Sequence, residues 1–218
     1  MMSFTRFNRI LILLLAGACG GCDALGALIY KTSGPAQVDA KFVLPKESTL
    51  VLVENRRNPA EGEFDADEIA RNIGDELKKH DVAPLIDPDK VTRVRDADPA
   101  KFGTMAITAL GRAVDAKQVV YVNLIESGIE SDASESSLHG KATARVRVVE
   151  VKSGQTLWPL DSNTGGIELS VEIPYSSRTD PVTVSAMHTA MVSRLSDSIA
   201  KLFYTWRPED QHEGDAAE

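Results

Sequence analysis

Leu50-Val51-Leu52-Val53 is an unbroken apolar run, the mark of a short strand covered on both of its faces. From Asp65 to His80 the pattern becomes helical. Ala66, Ile69, Ala70, Ile73 and Leu77 recur at three- and four-residue spacing, with Asp67, Glu68, Arg71, Glu76 and Lys78 between them. Asp65 stands where a cap is wanted, with Glu68 three residues on. Val82 to Ile86 reads as a second short strand, ended by Asp87-Pro88. Phe102 to Val114 reads as a second helix with Met105, Ala106, Ala109, Leu110 and Ala113 on one side.

The second half is richer in strands. Gln118 to Ile125 carries Val119, Val120, Tyr121, Val122 and Leu124, the composition of a buried strand. From Leu138 to Val151, Ala142, Ala144, Val146 and Val148 alternate with Thr143, Arg145 and Arg147, so one face is wet. Lys152-Ser153-Gly154-Gln155 is a turn into Thr156-Leu157-Trp158, and Ile167, Leu169, Val171 and Ile173 alternate with Glu168, Ser170 and Glu172 in a further strand. Neighbouring strands can then pair Arg145 or Arg147 with Glu168 or Glu172. A long helix from about Val182 to Tyr204 closes the chain. It is entered through Asp180 and Pro181, with Val184, Met187, Met191, Leu195, Ile199 and Leu202 as its apolar face. The fold class is α/β: a single three-layer-like domain of β-α-β-α-β-β-β-α order, a mixed sheet with helices packed on it.

The ends differ from this middle. Arg6 and Arg9 precede the apolar run Ile10 to Leu15, then small residues and Cys19, the order of a secretory signal peptide. The run falls well short of the roughly 20 residues that span a bilayer. Leu15-Ala16-Gly17-Ala18-Cys19, followed by Gly20-Gly21-Cys22, resembles the lipobox of bacterial lipoproteins: Leu, a small residue, Gly or Ala, then Cys. Cys19 is the favoured lipidation site and Cys22 the alternative. The other reading is a cleaved signal that leaves two cysteines to pair with each other, only two residues apart and with no third cysteine in the chain. The expected organisation is a lipoprotein signal peptide over 1–18, lipidated cysteine and flexible tether over 19–40, the α/β domain over 41–206, and a disordered acidic tail over 207–218.

The chain of 218 residues has a formal net charge of -8. Removal of Arg6 and Arg9 with the signal takes it to about -10. Such a surface repels nucleic-acid phosphates, and no basic stripe with interleaved aromatics offsets it, so a nucleic-acid partner is excluded. The middle segment, roughly 170 residues without cysteine, is long enough to bury one core without staples.

The order of elements on a short lipidated tether resembles the CsgG/TolB-amino-terminal-like domain. The residues that carry the resemblance are Leu50-Val51-Leu52-Val53-Glu54, Leu110-Gly111-Arg112-Ala113-Val114-Asp115-Ala116 running into Val119-Val120-Tyr121-Val122, and Val148-Val149-Glu150-Val151 with Ser153-Gly154 and Leu157-Trp158. That family includes the curli secretion lipoprotein, the amino-terminal domain of TolB and the outer-membrane lipoproteins that activate penicillin-binding proteins. The resemblance implies an envelope lipoprotein that works by binding. No additional pair of long alternating strands is read that would supply a transmembrane barrel, which disfavours a secretion channel.

Catalytic patterns are not found. His80, His139, His188 and His212 have no second ligand at metal spacing, so neither metal nor cofactor is expected. Ser136-Ser137 and Ser176-Ser177 lack a nucleophile elbow, and Gly20-Gly21 and Gly165-Gly166 are no phosphate loop. Asp87, Asp89, Asp96 and Asp98, with Arg93 and Arg95, read as a solvated, loop-like charged stretch. What remains is recognition by surfaces. Arg56 and Arg57, directly after the first strand, suit bidentate capture of carboxylates. Trp158, beside Pro159, suits an interface anchor or a plug at the core edge. The expected function is a membrane-anchored, non-catalytic binding or assembly module on the periplasmic side, at the outer membrane, docked on an envelope protein complex. Asp23 beside Cys22 would resemble an inner-membrane retention signal, whereas Gly20 beside Cys19 carries none. The alternatives are a self-associating subunit, hence a homo-oligomer, and, less favoured, an envelope-polymer hydrolase.

Overall fold

Alternation along the strands becomes two distinct sheet faces once the register is fixed. The computed structural model describes residues 37–55, 66–132, 137–160, 165–176 and 180–208. Strand β1 (Thr49–Glu54) lies parallel to β2 (Gln118–Asp132), with Leu50 opposite Val119 and Leu52 opposite Tyr121. β3 (Ser137–Glu150) returns antiparallel along β2. The other edge of β3 holds two strands in succession: β4 (Thr156–Trp158) opposite Val148 and Val149, and β5 (Ile167–Ser176) opposite Leu138 to Val146. The result is a mixed five-stranded sheet.

Helices cover both faces. On one, α1 (Ala66–Lys79) and α5 (Pro181–Ala200) pack against each other, α1 on β1 and α5 on β3 and β5. Ile69, Ile73 and Leu77, four residues apart, are fully buried, and acidic residues in the first turn with lysines in the last suit the helix dipole of α1. Met191 of α5 lies over Gly140 of β3, where a side chain would collide with its sulfur. On the other face, Leu50, Leu52, Val119 and Tyr121 form one apolar cluster with Leu110 and Val114. Val91, Val94, Phe102, Met105 and Ile107 pack against it from α2 (Pro88–Ala97), α3 (Pro99–Thr104), α4 (Ile107–Ala113) and the joint before α4. Gly111 brings α4 close to the sheet: a Cβ there would sit 2.6 Å from Val151. The α/β class and the three layers are as expected.

Four elements differ from the sequence expectation, each for a visible reason. Val82 to Ile86 is no strand; it makes a single parallel bridge, Leu85 to Thr49, at the edge beside β1. The Thr49 N–H donates to the Pro84 carbonyl and the Ile86 N–H to the Thr49 carbonyl, both at 2.8 Å. Pro84 has no N–H to extend the ladder and Pro88 opens a helix. That helix, α2, replaces the expected loop: the Asp87 carboxylate accepts from the Asp89 N–H at 3.0 Å and Pro88 takes the first turn. The expected helix over 102–114 is two helices. Residues 105 and 107 of one continuous helix would point about 200° apart, and the extended backbone of Met105 and Ala106 lets both Met105 and Ile107 reach the cluster. β2 runs to Asp132 rather than Ile125, past a bulge at Ile125, because β3 supplies partners for polar residues whose own strand propensity is low. The observed order is therefore β-α-α-α-α-β-β-β-β-α.

These elements form a unit of residues 39–205. In a second unit, Val38 and Trp206 form an antiparallel bridge, each N–H donating to the other's carbonyl at 2.9 and 3.0 Å.

Candidate functional site

The face of the sheet that carries α2 to α4 changes character along its strands. Its lower rungs, Leu50 with Val119 and Leu52 with Tyr121, are apolar on β1 and β2, with Arg147 of β3 opposite Tyr121. One rung further, Glu54, Asn123, Arg145 and Glu168 stand in register across β1, β2, β3 and β5. Beyond the bulge come Glu126, Thr143 and Ser170, then Lys141 opposite Glu172. Side chains on one face of adjacent strands lie about 4.5–5.5 Å apart at Cβ, so each rung is a set of interacting groups.

Most of these groups satisfy one another. Arg145 reaches Glu168 at 2.8 Å, one of the pairings expected from the alternation, while Glu172 falls opposite Lys141 rather than an arginine. Thr143 and Ser170 share a hydrogen bond at 3.1 Å, and Lys141 pairs with Glu126 at 3.0 Å. The Tyr121 hydroxyl donates to Glu54 at 2.8 Å. The hydrogen bond to Glu126 and its negative charge raise the Lys141 pKa above the ordinary 10.5, with Glu172 and Glu130 adding to the shift against a desolvation cost.

Arg147 is different. Its guanidinium lies over the Tyr121 ring, 5.0 Å from the centroid, and has no carboxylate at ion-pair distance among the described residues. The reason is register: β5 begins its pairing with Ile167 opposite Val146, and β4 resumes with Trp158 opposite Val148, so among the described residues no residue of β4 or β5 is paired with Arg147. Three buried side-chain atoms on these two rungs lack hydrogen-bond partners among the described residues: Arg145 Nε, Arg147 Nε and Asn123 Oδ1. Gly166, at φ +156°, passes close over the Arg145 stem, where a Cβ would meet Cγ at 2.7 Å, and this fixes the approach of β5 to the rung.

Of the residues singled out from sequence, Cys19, Cys22, Arg56 and Arg57 lie outside the described residues. Trp158 ends β4 before a cis peptide bond to Pro159 and is half-buried. Its ring stacks on Phe42 at 5.9 Å and meets Phe203 edge-on at 6.0 Å. Val43 and Leu160 are 78% and 81% exposed. Trp158 therefore lies on the strand edge and is not on the polar face. Asp87 and Asp98 cap α2 and α3. His80 stacks on Tyr204 at 3.7 Å, and no group of three or more His, Cys, Asp or Glu among the described residues could hold a metal. The Tyr121, Asn123 and Arg147 arrangement was not read from sequence. Arg145-x-Arg147 in an acidic chain was visible, but its meaning depends on Tyr121 and Asn123 lying opposite and on where β5 stops.

Fold and face together define a mixed α/β sheet domain with a polar, arginine-bearing face. No family model matches the chain, and no curated protein does. Among solved structures it is similar to lipoprotein GNA1162 from Neisseria meningitidis, at 15% identity over 69% of this chain and 99% of that one, with a TM-score of 0.45. It is also similar to the hypothetical protein CT253 from Chlamydia trachomatis, at 14% identity over 72% and 96% with a TM-score of 0.43. A third is the PelC dodecamer from Paraburkholderia phytofirmans, at 10% identity over 78% and 97% with a TM-score of 0.36.

Proposed function

We propose that this chain is a lipid-anchored, non-catalytic binding module of the bacterial cell envelope. In this reading Cys19 carries the lipid, the domain stands on the periplasmic side at the outer membrane, and the polar sheet face meets an envelope protein complex, as the resemblance to the CsgG/TolB-amino-terminal-like domain implies. The observation that carries it is the row Glu54, Asn123, Arg145 and Glu168, beside Tyr121 and Arg147: a polar, half-buried rung spread over four strands. Rigid strands position such groups better than loops do, and a row with mixed donors and acceptors suits recognition of a polar partner surface.

The test is expression of the full chain with a carboxy-terminal tag in a lipoprotein-processing bacterium, followed by in-membrane cross-linking and mass spectrometry. The expected result is diacylglyceryl modification of Cys19 and a specific envelope protein cross-linked to residues of β1, β2, β3 or β5. Unmodified cysteines with the protein in the soluble extract would overturn the anchor. Cross-links confined to the opposite, α1 and α5 side would overturn the assigned face.

A further inference from the structure

We infer that the edge formed by Phe42, Val43, Trp158 and Leu160 rests on the zwitterionic phospholipid surface of the membrane that holds the chain; this goes beyond the reading of the polar face and rests on the lipid anchor. The argument begins with exposure. Among the described residues three large apolar side chains are mostly exposed, Val43 at 78%, Leu160 at 81% and Val182 at 77%. Single exposed apolar residues are ordinary, but two of these three flank one aromatic pair. Val43 follows Phe42, and Leu160 stands two residues after Trp158, whose ring stacks on Phe42 at 5.9 Å and meets Phe203 at 6.0 Å. The first three residues of the edge are fixed in place. Leu44 is buried, the Phe42 N–H donates to the Leu202 carbonyl at 3.1 Å, and Trp158 pairs with Val148 in the sheet. Val43 is thus held outward between two anchored neighbours and is not exposed by fraying. A rigid, half-buried tryptophan rimmed by aliphatic side chains has the amphipathic make-up favoured at the boundary of lipid and water.

Two further observations select a bilayer as the occupant. The first is chain length. With lipid on Cys19, residues 19–39 span at most about 70 Å, and Val43 lies no more than about 14 Å of chain beyond Asp39, where the folded unit begins. Such a tether keeps the edge at high local concentration over the lipid, so contact by a few side chains suffices where it would fail for a free domain. The second is charge. Asp39, Lys41, Lys46 and Glu47 are all exposed and sum to zero around Val43, although the chain as a whole carries -8. An anionic surface would repel the rest of the domain, whereas a zwitterionic one does not. The placement also suits the polar face. β4 pairs at Val148, and Lys141 with its partners lies about 23 Å further along β3, so the polar rows extend away from the docked edge.

The test is fluorescence of the full-length, lipidated chain in dioleoylphosphatidylcholine vesicles that contain phosphatidylcholine brominated near the headgroup end of its acyl chains. The chain has two tryptophans, so Trp206→Phe leaves Trp158 as the reporter. The expected result is loss of about a third of the Trp158 emission, with a smaller loss when the bromines sit at the chain ends. Val43→Ser with Leu160→Ser should abolish the quenching at an unchanged thermal midpoint, because both side chains are exposed. Replacing half of the lipid with phosphatidylglycerol should weaken it. If Trp206→Phe fails to fold, a phosphatidylcholine with a photoreactive chain should label residues 42–43 and 158–160 of the wild type. Vesicles that float with the protein while Trp158 stays unquenched would overturn the docking and leave the anchor standing; protein that does not float would remove the anchor itself. Quenching that survives Val43→Ser with Leu160→Ser would overturn the assigned edge, and quenching strengthened by phosphatidylglycerol the assigned lipid. Shielding that appears only at high protein-to-lipid ratio would give the edge to a second copy instead.

Discussion

At the scale of single residues, the contacts that matter are those with no room to adjust. Gly111 is one: a Cβ would lie 2.6 Å from Val151 Cγ2 and 3.3 Å from Val119, both β-branched and stiff. Gly111→Ala is therefore expected to cost about 1–3 kcal/mol by overpacking, read as a lower urea midpoint at unchanged m; an unchanged midpoint would mean that α4 can lift off the sheet freely. Asp115, at φ +62°, closes α4 in the left-handed region, with the Ala116 N–H donating to the Gly111 carbonyl at 2.9 Å. Asp115→Val places a β-branched side chain where only Gly, Asn or Asp sit easily, and about 1–2 kcal/mol of stability should be lost, whereas Asp115→Gly should be neutral or stabilising. Lys141 gives a pH-dependent sign. Its raised pKa means that the pair with Glu126 contributes fully below the ordinary value of 10.5 and fades as pH rises through the higher folded value. Glu126→Gln should bring the Lys141 titration, followed by NMR of its side chain, back toward 10.5; an unmoved titration would show that Glu126 is not the cause.

At the scale of elements, caps and register decide what the hydrophobic pattern leaves open. Asp180 accepts from the Thr183 N–H and hydroxyl, both at 3.0 Å, at the start of the helix that covers β3 and β5. Asp180→Ala should cost about 1 kcal/mol and Asp180→Asn much less, measured by thermal unfolding; equal losses would assign the effect to charge rather than to the cap hydrogen bond. Elements with a clean local signal were legible in the sequence: β1, α1, the buried half of β2, β3, β4, β5 and α5 stand within a few residues of where an apolar run, a turn, alternation or helical spacing put them. The rest was not, and the reasons are physical. Asp87-Pro88 ends a strand or starts a helix equally well in one dimension, and only the pairing of Thr49 with Pro84 and Ile86 decides it. The break at Met105 is imposed by the sheet beneath it, since it turns both Met105 and Ile107 to the same cluster. The polar face was half legible: Arg145 and Glu168 pair as the alternation allowed, but that Arg147 has no carboxylate partner among the described residues follows from β5 starting its pairing at Val146, a register no local pattern encodes.

At the scale of the whole molecule, the open question is whether the sheet continues into a second copy. β5 pairs with β3 alone among the described residues, so its other side is a sheet edge of ten residues, long enough to recruit another strand. The composition of β5 argues against that use. Pro174 removes an N–H from the strand, and Glu168 and Glu172 repeat a negative charge along it. Two copies meeting edge to edge in antiparallel fashion would bring these carboxylates toward one another, in a chain that is already acidic. Glu168 is partly neutralised by Arg145, yet its side chain remains 56% exposed and its field is not cancelled at the edge. The full-length chain in detergent should therefore run as one copy per micelle in light scattering at micromolar concentration. Replacing Pro174 with Val and both glutamates with Thr should raise its mass by association, because those changes remove the proline gap and the like charges while raising strand propensity. A wild-type mass of several copies that falls to one when Lys is placed at 170 would reverse this conclusion. It would assign β5 to a subunit contact and favour the self-associating reading of the chain over the solitary binding module.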